Sequence, residues 1–156
     1  MAAAILARFA QGLVGRRCLI ERREHDWTFD FGGGCVIAVT AAWRLVGKDG
    51  VAFGNREEDI DRPSLWPLGG DSTVERLLKR KRVESVDLDP VTGDLQVTFD
   101  AKLRLEVFNN SASYEGWQAH FAVDGQNVSL VGMPGGGIAF VGAASGVAAI
   151  GAVVDS

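Results

Sequence analysis

Few side chains in this chain have a type and spacing that would support chemistry, and the first are two aspartates. Asp30 ends the stretch Thr28-Phe29-Asp30, and Asp100 ends the matching stretch Thr98-Phe99-Asp100. Two carboxylates brought face to face can share a proton and serve as acid and base. Neither is followed by the Thr/Ser-Gly of an aspartic-protease loop, so each also reads as a solvent-facing residue where a strand enters a turn. His25, between Glu24 and Asp26, reads as a turn residue, and His120 falls on the polar side of an alternating segment. Tyr114 and His120 are the groups that would join Asp30 and Asp100 at the mouth of a cleft. Cys18 and Cys35 lie outside any CxxC spacing, so a zinc site would need both to converge with both histidines without local motif spacing. No metal and no cofactor is expected. No Ser, Cys or Lys sits in a recognisable nucleophile context, so no catalytic residue is assigned.

Binding has more support than catalysis. An acidic cluster (Glu57, Glu58, Asp59 and Asp61) precedes Trp66 in Pro63-Ser64-Leu65-Trp66-Pro67. An aromatic anchor inside a charged rim is a common way to build a binding hot spot, and this one would suit a cationic protein. The alternative is a solvated loop whose tryptophan covers the core. Gly32-Gly33-Gly34 and Gly135-Gly136-Gly137 lack the strand-to-helix context and the Lys-Ser/Thr of a phosphate loop and read as turns. A net charge of −4 with a pI near 5.1 argues against general nucleic-acid binding.

These residues must be positioned by strands. Trp27, Phe29 and Phe31 alternate with Thr28 and Asp30, and Cys35, Ile37 and Val39 continue the apolar side. Leu95, Val97 and Phe99, then Leu103, Leu105 and Val107, repeat the plan, followed by Trp117, Ala119, Phe121 and Val123. Trp43-Arg44-Leu45 and Trp117-Gln118-Ala119 are followed by Asp49-Gly50 and Asp124-Gly125, in the same order. The landmarks predict an α+β, strand-dominated fold. It has two tandem antiparallel four-stranded repeats with pseudo-twofold symmetry, packed as a sandwich or a curved, barrel-like sheet, plus one or two short helices. Repeat one covers about residues 13–54, an acidic linker 55–73, repeat two about 77–132, and an apolar Gly/Ala-rich segment 133–156, all in one domain. In this alignment Cys35 sits opposite Leu103 and Cys18 roughly opposite Val83, so both thiols read as small buried residues of a reducing, cytoplasmic protein.

Helices are expected at residues 2–12, with Ile5, Leu6, Phe9 and Leu13 on one stripe, and at residues 73–82, capped by Asp71 or Ser72. The run Lys79-Arg80-Lys81-Arg82 would complement the second helix's dipole. The last segment holds Gly142-Ala143-Ala144-Ser145-Gly146, a GxxxG spacing that permits close contact of membrane helices. Its Gly, Ala and Ser residues gain little from lipid, however, and a strand at 138–141 followed by a packed segment is the expectation over a membrane contact or a loose tail.

The arginine-bearing first strand, the Phe-Asp strand end, the alternating strand, and then Trp and Asp-Gly make a recurring pattern over residues 13–132. It resembles small bacterial domains of unknown function, some of which are immunity proteins from toxin–antitoxin-type competition loci. The resemblance implies a non-enzymatic module that binds, and neutralises or regulates, another protein. The rival expectation is an enzyme or small-ligand binder using the cleft between the repeats. Homo-oligomerisation is compatible with either.

Overall fold

A computed structural model describes residues 2–55, 70–142 and 146–149. The chain opens with α1 (Ala2–Leu13) and continues through β1 (Leu19–Arg22), β2 (Trp27–Asp30), β3 (Val36–Val39), β4 (Ala42–Gly47) and β5 (Gly50–Gly54). After α2 (Gly70–Leu78) come β6 (Val83–Leu88), β7 (Leu95–Phe99), β8 (Arg104–Phe108), β9 (Trp117–Val123), β10 (Gln126–Gly132), β11 (Ile138–Gly142) and β12 (Gly146–Ala149). All ladders are antiparallel and form two sheets, of order β1-β2-β3-β9-β10-β11-β12 and β5-β4-β8-β7-β6.

The strand-dominated expectation is therefore met, but the strands are not divided as two self-contained four-stranded units. Residues 13–54 and 77–132 each contribute five strands. In each half the first three form a meander and the last two cross to the other sheet. Thus β4 pairs with β8, setting Trp43 opposite Val107, and β3 pairs with β9, setting Trp117 opposite Val39.

The alternating rows face a common interior. Phe29, Ile37, Val97, Phe99, Leu105 and Ala119 are buried, as are Trp27, Trp43 and Trp117. Trp43 joins the sheets: its ring lies 5.1 Å from Trp27 and 5.2 Å from Phe29, both edge-on, and 5.4 Å from Phe53. Edge-on aromatic pairs of this kind each add about 0.5–1.5 kcal/mol beyond burial. Val51 is the exception, 57% exposed, because a bulge between Leu45 and Val46 shifts the β4–β5 register.

The first helix packs Phe9 and Leu13 inward as their spacing predicts, with Phe9 against Phe121 at 5.1 Å. The second differs from expectation. It starts at Gly70, so Asp71 and Ser72 fall inside it, and it stops at Leu78. Arg80 takes a left-handed conformation (φ 63) and Lys81 N donates to Leu78 O, so the basic run forms the exit turn and not the last helical turn. At the other end of the chain, Gly142 and Gly146 pair across the β11–β12 hairpin instead of lining a helix face. Among the described residues no helix is long and apolar enough to cross a membrane.

Candidate functional site

The four residues proposed for a cleft lie in separate settings. Asp30 is exposed at the end of β2, its Oδ1 accepting from Gly32 N at 2.8 Å. Asp100 is half-buried in a 3-10 turn, and its Oδ1 accepts from Arg82 N at 3.2 Å. His120 stands on the wet face of β9, with Nδ1 2.8 Å from Ser129 Oγ on β10. Tyr114 is 75% exposed in the β8–β9 crossover. Each carboxylate is thus engaged by a backbone N–H, Asp30 within its own turn and Asp100 from the residue that enters β6.

Tyr114 lines a cleft of about 720 Å³ between the two crossovers, with Thr40, Asn55, Asn110, Ser113 and Glu115. Asp30, Asp100 and His120 are not in its walls. Its loop is held in place: Ser111 Oγ accepts from the backbone N–H of Ser113 and of Tyr114, each at 3.0 Å, and Ser111 O accepts from Gly135 N at 2.8 Å. Behind it, buried Asn109 donates to Thr92 O and Met133 O, at 2.9 and 2.8 Å. Among the described residues the cleft has one carboxylate, Glu115, several polar side chains and the exposed ring of Tyr114 on a loop whose backbone is hydrogen-bonded in place.

The acidic cluster (Glu57, Glu58, Asp59, Asp61) and Trp66 lie outside the described residues. The segment that follows them carries a surface that reading the residues one by one did not identify as a site. Between β1 and α2, which pack together, is a cleft of about 860 Å³ lined by Arg17, Leu19, Ile20, Arg76, Lys79 and Arg80, with Glu75 the one carboxylate among the described lining residues. None of Arg17, Arg76, Lys79 and Arg80 makes an ion pair among the described residues, whereas Arg8, Arg23, Arg44 and Arg104 each do. Leu19 is 76% exposed on the same wall. Four consecutive cations on an acidic chain were the available signal; their assignment to a helix dipole hid it.

Cys18 also borders this cleft but is inert. Both cysteines are free and buried. Burial, helped by the Asp30 charge, pushes the Cys18 thiol far up. Burial likewise pushes Cys35 up to about 11, against the opposing pull of Arg16. A neutral thiol is a poor nucleophile and a poor metal ligand. Among the described residues no group of three or more His, Cys, Asp or Glu side chains is placed to hold a metal ion. No family model matches the chain, and neither a curated protein nor a solved structure matches it.

Proposed function

We propose that this protein is a non-enzymatic protein-binding module that neutralises or regulates a partner, in the manner of immunity-type inhibitors. The observation that carries the reading is the β1–α2 cleft, where exposed Leu19 stands beside four cations that make no ion pair among the described residues. Folding alone gains little from clustering like charges, because they repel one another. An apolar residue among charges that await a counter-charge is the usual make-up of a binding surface. The acidic stretch of sequence with Glu57, Glu58, Asp59, Asp61 and Trp66 has the opposite charge and would suit a cationic region of a partner protein. The two free thiols suit a reducing compartment, and a cytoplasmic location belongs to this reading. The test is capture from the host's own lysate by the full chain and by two charge-reversed variants, Arg17→Glu/Lys79→Glu and Glu57→Lys/Glu58→Lys. Loss of the same partner with the first variant supports the cleft. Loss with the second supports the acidic face. Equal capture by all three overturns both.

A second reading has its own observation, the held loop that presents Tyr114 over the polar cleft. A small polar ligand stacked on Tyr114 would raise the melting temperature of the native chain, and less so of Tyr114→Ala.

The two halves also read as copies of one ancestral unit. The order β1-β2-β3 beside β9-β10 matches β6-β7-β8 beside β4-β5. Phe31 N donates to Cys35 O as Phe99 N does to Leu103 O, and Cys35 N to Gly32 O as Leu103 N does to Asp100 O. In that register Asp100 stands opposite Gly32, two residues on from Asp30. Failure of β1–β5 to superpose on β6–β10, strand for strand, overturns the duplication.

A further inference from the structure

We infer that the β1–α2 cleft takes a short acidic segment of the partner in which carboxylates flank an apolar side chain. The inference rests on the protein-binding reading above and names the chemistry of the partner. Charge points to the sign of the ligand: among the described residues Arg17, Arg76, Lys79 and Arg80 line the cleft against one carboxylate, Glu75. Lys81 and Arg82 continue the cationic surface, with Arg82 Nη1 fixed on Gly15 O at 2.9 Å. A nucleic acid or an anionic bilayer carries the same sign of charge, so charge alone does not choose among these ligands. The wall favours a peptide over a bare anion, because Leu19, 76% exposed, and Ile20 offer apolar contact beside the cations.

Arg80 offers a variant that separates binding from folding. It occupies the left-handed position just past the helix end, with φ 63, where glycine is the usual residue because any Cβ is strained there. Arg80 is also among the residues that line the cleft. Replacing Arg80 by Gly should therefore relieve the backbone while removing the contact. Most substitutions that weaken binding through misfolding cannot give that combination.

The experiment measures binding of a short fluorescent peptide alternating Glu and Leu to the full-length chain. Its comparators are the peptide's Lys-for-Glu counterpart, a single-stranded oligonucleotide and inorganic polyphosphate. The acidic peptide should bind, weaken as salt is raised, and be preferred to all three comparators. Arg80→Gly should weaken it by about threefold, the scale of one exposed charge pair, with a melting temperature equal to or above the parent's. Arg17→Glu/Lys79→Glu should weaken it by about tenfold or more. Equal binding of the Lys peptide, tighter binding of the oligonucleotide or polyphosphate, or unchanged affinity in Arg80→Gly overturns the inference. If the acidic peptide fails while Arg17→Glu/Lys79→Glu still loses the host partner, only this chemistry falls and the protein-binding reading stands. If both fail, the reading falls too.

Discussion

Trp43 and Trp117 begin equivalent crossings between the sheets and are equally buried, but their indole N–H groups are not equally satisfied. Trp117 Nε1 donates to Gly93 O at 2.7 Å, while buried Trp43 Nε1 has no partner among the described residues. Phenylalanine at either site loses ring volume. At Trp117 it also strands the Gly93 carbonyl, whereas at Trp43 it removes an unmet donor. Trp117→Phe should therefore cost about 1–3 kcal/mol more than Trp43→Phe in urea unfolding; equal costs would show that the bond to Gly93 adds nothing. The thiols give a second residue-scale expectation. Cys35 keeps its proton up to about 11, while the unfolded chain releases it near 9.0. The unfolded state thus holds fewer protons in that window, and stability present below about 9.0 falls as pH rises toward about 11. Cys18, shifted further in the same direction, prolongs the loss. A Cys18→Ala/Cys35→Ala chain should show a flatter fall over that range by thermal unfolding. An identical slope would mean that the thiols titrate alike folded and unfolded. Their burial was legible in the sequence because each continues an apolar row with no ligand spacing around it.

Among the elements, strands declared themselves most clearly, since period-two alternation at Trp27–Phe31, Leu95–Phe99 and Trp117–Phe121 survives as buried rows. The end of α2 was less legible. Residues 79–82 are good helix formers, and only the need to bring Val83 into the sheet turns the chain at Arg80. The two β-turns that follow β2 and β7 show the same tension between residue type and required conformation. Gly32, Gly33 and Gly34 all have positive φ (75, 62 and 81). In the other turn Ala101 and Lys102 adopt φ of 59 and 62 without being glycine. A side chain in that region costs roughly 1–2 kcal/mol, of which glycine's extra unfolded-state entropy returns about 0.5–1. Ala101→Gly and Lys102→Gly should each stabilise the chain by about 0.5–1 kcal/mol, while Gly33→Ala should destabilise it by a similar amount. The last change also crowds the Arg16 guanidinium that lies against Gly33. Denaturant midpoints measure all three, and a loss of stability in the glycine variants would show that the Ala101 and Lys102 side chains outweigh the backbone strain.

At the scale of the molecule, alternation tells which side of a strand is buried but not which strand lies beside it. That is why the landmarks pointed to four-stranded units while the chain exchanges β4–β5 and β9–β10 between sheets. For the same reason sequence equivalence suggested a meeting of Asp30 and Asp100, though Asp30 binds Gly32 N and Asp100 binds Arg82 N, whereas the cationic cleft arises from Arg17 and the α2 exit, far apart in sequence. The exchange has a mechanical consequence. Among the described residues the two halves are joined by the β3–β9 and β4–β8 ladders and by the isolated Arg17–Arg82 bridge. Neither half can complete a sheet without the other, and Trp43 and Trp117 would each lose the facing strand that buries them. Fragments 1–55 and 70–156 should therefore be largely unfolded when made separately, by circular dichroism and proteolysis. When mixed they should associate into a cooperatively melting complex, because the cut falls between β5 and α2 and severs no ladder. Burial of a shared apolar core offsets the cost of bringing two chains together, so the complex should form at micromolar concentration or below, at roughly the affinity of a stable interface. A fragment 70–156 that folds alone with the near-ultraviolet signature of buried Trp117 would show that the exchanged hairpin is dispensable, and with it the claim that both halves are needed to build one interior.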